Sequence, residues 1–193
     1  YLSRIAIVKT VGGVVFPNHP LAATKDELMK LKGYGTDVKA NQAEAKSLLK
    51  AAGASNLSVD FNNRGVDQPY KVVGTWLIDE WKKIGVKTKQ RVQPSPQFYA
   101  TLRKKKDFDV SIDFNCQSVI NPIADITKFL GSAGNNYGNY EDAELEAIYD
   151  KILKSGSVDE QRRLIRKYET RALSDQAHLA ITLWWYKINP HRS

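Results

Sequence analysis

The chain has one cysteine, one methionine and three histidines among its 193 residues. A single cysteine, Cys116, excludes an internal disulfide. His19, His178 and His191 stand far apart, and none forms a metal-ligand spacing with Cys116. No apolar run approaches the roughly 20 residues that a membrane-spanning helix needs. A glycine-rich phosphate loop is also missing. Gly131, Gly134 and Gly138 lie in a segment that follows no strand and opens no dinucleotide helix. Cys116 follows a strand, but no histidine stands in a telling context, so it is expected to be a buried structural thiol. Asp109 and Asp113 read as solvated charges on the polar face of a strand. An enzyme is not supported. The chain carries no internal repeat and no low-complexity tract.

What is present is 42% hydrophobic residues, with four tryptophans and nine tyrosines, a globular composition. The length suits one α/β domain able to bury a sizeable core. A net charge of +8 and a pI near 9.4 invite a nucleic-acid reading. The charge is scattered, however, except at Arg103, Lys104, Lys105 and Lys106. That run ends a short helix, where cations complement the helix dipole, so a solvated helix end stands beside a phosphate-binding patch.

The organising stretch is 57–92, which reads as strand, helix, strand. Residues 57–61 alternate apolar and polar, as a strand with one buried face does. Asp67 and Gln68 occupy the N-cap region, with Pro69 at the first helical position. Val72, Val73, Trp76, Leu77, Ile78, Trp81 and Ile84 then form one broad stripe facing a core. Gly85 stops the helix, and 86–92 resumes an extended pattern. A crossover of this length joins parallel neighbours through a right-handed connection.

Before this unit, 1–11 reads as a short amphipathic helix stopped at Gly12 and Gly13, and 14–23 as loop. Thr24 and Glu27 match a capping box, and Asn41 is expected to cap a helix over 42–52. After it, 97–105 reads as a helix packing Phe98, Leu102 and Tyr99. Residues 108–114 read as a third strand, with Phe108, Val110, Ile112 and Phe114 facing one way. A polar turn holding Cys116, Gln117 and Ser118, a short helix over 123–130 and a Gly/Asn-rich loop over 131–140 follow. Helices over 141–154 and 158–174, the second opened by Ser157 and Glu160, precede a strand over 179–188. The stripes on the helices at 69–84, 141–154 and 158–174 are expected to satisfy one another, with Trp76 and Trp81 buried.

Polar and aromatic residues gather at strand ends: Phe98, the turn of Asn115, Cys116, Gln117 and Ser118, and Trp184, Trp185 and Tyr186. In open α/β sheets the crevice outside the carboxyl ends of the strands is where ligands bind. These eight residues are therefore the candidate ligand-binding set. Each aromatic has core packing as its ordinary alternative.

The order of segments resembles a known family. Residues 41–53, the helix at 76–86 with its Trp76, Trp81 and Gly85, Phe108-Asp109-Val110, the Asn-rich loop before Tyr140, and Arg4 with Gly12-Gly13 resemble the family 5 extracellular solute-binding proteins. These are the dipeptide, oligopeptide and nickel receptors of ABC importers. The resemblance implies an α/β, periplasmic-binding-protein-like (type II) lobe, a mixed sheet flanked by helices. It implies that 1–193 is a single lobe, the continuous inserted lobe of a larger two-lobed receptor. By the same resemblance the protein binds a peptide-like or other small solute, uses no cofactor or metal, catalyses nothing, and works in the periplasm. It is then a monomer that meets ABC permease subunits and no nucleic acid. Where peptide-binding members carry a Trp and an Asp, this chain has Asn115 and Ser118. Ile112 stands where some carry an Arg, while Phe98 keeps an aromatic. These departures imply a solute without a free α-amino group at that position. A basic nucleic-acid module, or an enzyme using Cys116, are the competing classes.

Overall fold

The computed structural model describes residues 10–118 and 120–184. All but the last two residues of the expected first helix lie outside them, as do residues 185–188 of the expected last strand; over 179–184 no strand forms, and only Trp184 pairs, in an isolated bridge with Thr10.

The sheet is built on the central strand β1, Ser58–Arg64, flanked by β2, Lys87–Gln93, and β3, Val110–Ser111. Both pairings are parallel, with Phe61 opposite Gln90 on one side and Val110 on the other. The antiparallel component that a mixed sheet requires is limited, among the described residues, to an isolated bridge between Thr10 and Trp184. Strand β1 runs further than its alternation suggested. Phe61 and Asn63 are buried on one face, and Asn62, also buried, turns to the other with Arg64. The third strand is shorter than expected. Only Val110 and Ser111 pair, and Phe114, past their end, is 38% exposed.

Helix α1, Lys25–Leu28, opens on the expected capping box between Thr24 and Glu27. Helix α2, Val38–Ala51, begins three residues before the expected cap. Asp37 accepts the Ala40 N–H at 3.0 Å, while Asn41 donates to the Gly35 carbonyl at 2.8 Å. None of its residues is buried, so α2 lies loosely on the surface. Helix α3, Val72–Lys83, follows a wider turn over Asp67–Lys71. It lays Val73 and Gly74 against the sheet. Trp81 meets Phe61 edge-on at 5.5 Å but is half-buried, and Trp76 is half-buried in a shallow groove on the outer face of α3. The expected burial of both indoles is therefore incomplete. Gly85 stops the helix at φ +93°, where side chains other than glycine are strained. Helix α4, Ser95–Ala100, continues as a wider turn to Lys105 and buries Phe98, Thr101 and Leu102.

The second half of the chain makes its own core. Helices α5, Ala143–Lys154, and α6, Val158–Thr170, are capped by Asp142 and Ser157. They bury Leu145, Ile152, Leu164, Ile165 and Tyr168 against Val14, Val15, Leu21, Leu28, Leu31, Ile126, Phe129 and Leu130. This cluster takes no residue from α3, so the three long helices do not satisfy one another as expected. Asp142 also accepts hydrogen bonds from Arg171 at 2.8 Å and faces His178 at 3.1 Å. Burial pushes its carboxyl up, but the Leu145 N–H, His178 and Arg171 outweigh that and hold it below its ordinary value. Among the described residues no helix is long and apolar enough to cross a membrane.

Candidate functional site

The carboxyl ends of β1 and β3 face a surface that alternates cations and rings. Arg64 ends β1, and its guanidinium lies 5.2 Å from the centre of Tyr70 and 5.4 Å from that of Tyr99. Tyr99 comes from α4, which leaves the end of β2. The Arg103 guanidinium lies 5.1 Å from the same Tyr99 ring and hydrogen-bonds Tyr137. Lys128, 5.3 Å from the Tyr137 ring, pairs with Asp113 just beyond β3. Each such stack is worth roughly 0.5–2 kcal/mol, more as water is excluded. Burial raises the Tyr70 and Tyr99 hydroxyls above their ordinary value, and the nearby arginines offset only part of that. Arg64 is held in place by Ser95, whose hydroxyl accepts from its Nε at 2.8 Å. Asn62, one step back on the same strand face, is fully buried with its Oδ1 unpaired among the described residues.

The expected site residues have the following surroundings. Phe98 is 0% exposed, so in this structure it is core beneath Tyr99, which it meets edge-on at 5.2 Å. Asn115 donates to the Asp125 carbonyl at 2.7 Å, and the Ser118 N–H donates to the Asp125 carboxylate at 2.6 Å. The Ser118 hydroxyl accepts from the Ile120 and Asn121 N–H groups at 3.2 and 3.4 Å. Gln117 spans the Phe16 N–H at 3.0 Å and the Val14 carbonyl at 2.6 Å, while Cys116 is exposed on the turn and is not the buried thiol expected. Trp184 donates from its indole N–H to the Gly13 carbonyl at 3.0 Å. Trp185 and Tyr186 lie outside the described residues.

The turn and Trp184 thus meet on one segment, 12–16. Two further groups fix that segment: Glu169 accepts the Val14 N–H at 2.7 Å, and the Tyr34 hydroxyl donates to the Gly12 carbonyl at 3.0 Å. A Cβ on Gly13 would fall 1.6 Å from the Glu169 carboxylate, so only glycine fits. Burial raises the Glu169 carboxyl, and Arg166 lowers it only in part. Sequence reasoning missed Arg64, Tyr70, Lys128 and Tyr137 as site residues, and read Tyr99 as core. It noticed the Arg103 run and Asp113 but read both as solvated. The available signal was position: Arg64 and Asp113 both follow alternating strands.

No protein-family model matches the chain, and no curated protein matches it. Solved structures do. The substrate-binding domain of an oligopeptide ABC transporter from Bacillus anthracis superposes with a TM-score of 0.67, at 20% identity, over 90% of this chain and 33% of its own. The ABC transporter substrate-binding protein CtaP of Listeria monocytogenes gives 0.67 at 19% identity, over 88% and 33%. The fold is that of the ABC-transporter substrate-binding proteins. Haemophilus influenzae OppA, in complex with the peptide RPPGFSPFR, gives 0.65 at 17% identity, over 77% and 30%. The chain spans about a third of the length of these substrate-binding proteins. The resemblance carried by the ordered segments therefore holds at the level of fold.

Proposed function

We propose that this chain is the solute-binding lobe of an extracellular ABC-importer receptor, taking a peptide-like or other small solute in the crevice outside β1 and β3. The observation that carries the reading is the substrate-binding fold with its strand ends opening on a row of arginines and tyrosines instead of on apolar core. Solute in such a receptor is enclosed between two lobes, and closure follows from contacts with both. The lobe here supplies one wall, from Arg64, Tyr99, Arg103 and the turn Asn115 to Ser118. It binds and releases without turnover, works outside the cytoplasmic membrane, and hands its solute to permease subunits. It acts as a monomer and needs no nucleic acid. Arg162, Arg166 and Arg171, part of the positive excess, are engaged by Glu27, Glu169 and Asp142.

Native mass spectrometry tests this on the 193-residue chain and on a longer protein that contains it. The longer protein should retain a small solute through purification, and the chain alone should lose it, because half the pocket wall is water. Equal retention by both, or conversion of the solute to a product, would overturn the reading.

A further inference from the structure

We propose that the solute bound at the strand ends carries an anionic group, and that Arg64 and Arg103, both stacked on Tyr99, hold it. This rests on the receptor reading and names the chemistry of its site. Among the described residues neither arginine forms an ion pair, whereas Lys128 is already paired with Asp113. That row therefore has two positive charges in excess. Arg64 uses its Nε on Ser95 and one terminal nitrogen on the Tyr70 hydroxyl at 3.5 Å. Its other terminal nitrogen has no protein acceptor among the described residues.

The rings explain why these cations suit an oxyanion better than water does. The Arg64 guanidinium lies over the Tyr70 and Tyr99 rings, which hold it in place, and one terminal nitrogen remains to be satisfied. A planar fork of N–H donors matches two oxygens of a carboxylate or a phosphate. Arg103 is exposed, touches the same Tyr99 ring and is anchored by Tyr137. A neutral amide would leave both charges uncompensated once a second wall excluded water. A cationic solute would meet net repulsion, since the one acidic group of the row, Asp113, is spent on Lys128.

Calorimetric titration of the 193-residue chain would use three capped dipeptides. These are acetyl-Ala-Glu-amide, its neutral Gln counterpart, and acetyl-Ala-phosphoserine-amide. A charge-assisted hydrogen bond predicts a preference for the anionic probes over Gln of about ten- to a hundredfold. Whether Glu or phosphoserine binds better identifies the oxyanion. Arg103→Gln, an exposed change that leaves the core untouched, should reduce the preference at least severalfold, Arg64→Gln should do the same, and Arg103→Lys should restore part of it. Gln binding as tightly as Glu, or a preference unchanged in both Gln variants, overturns the inference and leaves the receptor reading standing. If none of the three probes binds, the inference falls, and the receptor reading is tested separately by solute retention in the longer protein.

Discussion

The two halves of the molecule solve opposite problems. The α5–α6 half buries a continuous apolar cluster: Tyr168 donates to the Ile126 carbonyl at 2.6 Å, and Asp142 is bonded by Leu145 and Arg171. Arg166, whose Nε and Nη1 make no hydrogen bond among the described residues, lies 3.4 Å from the Glu169 carboxylate and 3.7 Å from that of Glu27. The sheet half has a thinner core of Val59, Phe61, Tyr70, Val73, Val86, Phe98 and Leu102, interleaved with buried Asn62, Asn63 and Thr101. Its upper edge shows cations on rings and an unpaired amide oxygen at Asn62. One half encloses an apolar core and counters its buried charges with ion pairs. The other keeps polar capacity unspent, which suits a surface that a ligand completes.

That contrast can be broken by mutation, and the largest effects belong to the closed half. Ile165→Ala, at a fully buried position between α5 and α6, should cost about 2–5 kcal/mol in urea unfolding. Gly13→Ala should cost about 1–3 kcal/mol, as overpacking does, because its Cβ collides with Glu169. A cost near zero there would mean that the 12–16 segment is free to move. In the sheet half, Trp81→Ala should fall below the ~3–5 kcal/mol of a fully buried tryptophan, and Trp76→Ala lower still.

Glu169 gives a smaller, pH-dependent contrast. Its carboxyl is raised above the ordinary 4.5, so the folded state holds the proton that the unfolded chain releases. Stability therefore falls as pH climbs from 4.5 toward the raised value. Asp142 works the other way. Its carboxyl is lowered, so the stability it contributes is present above the ordinary 3.8 and is lost as pH falls through the lowered value. Glu169→Gln should remove the first dependence and keep the second, so denaturation midpoints of variant and parent should converge or cross as pH rises from 4.5. Parallel pH curves would contradict the assignment. The smallest effect is Arg103→Gln, which should cost about 0.5–1 kcal/mol, the worth of an exposed cation–ring stack.

How much of this was legible depends on distance along the chain. The parallel β1–α3–β2 unit could be read because alternation in 57–61, the stripe through Trp76 and Trp81, and Gly85 all agree locally. The Thr24–Glu27 box and the Ser157 cap are likewise three-residue signals. The start of α2 was misplaced because Asn41 looks like a cap, while its side chain is used by Gly35 and Asp37 caps instead. The 108–114 alternation was real, yet pairing stops at Ser111, where the chain turns toward Asp125 and Lys128. The hub on Gly13 joins residues more than 150 positions apart, through Glu169 and Trp184, and no local pattern announces it. The Arg64–Tyr99–Arg103 row has the same character: ordinary residues at ordinary spacings, assembled only when β1 and α4 end side by side.

Amide chemical-shift mapping of the 193-residue chain, titrated with a soluble acidic peptide, tests the location of binding most directly. Binding at the strand ends predicts that the largest shifts fall on Arg64, Gly65, Tyr99, Arg103, Asp113 and the turn Asn115 to Ser118, with α5 and α6 silent. Largest shifts on α5 and α6, or on the outer face of α3 around Trp76, would contradict it.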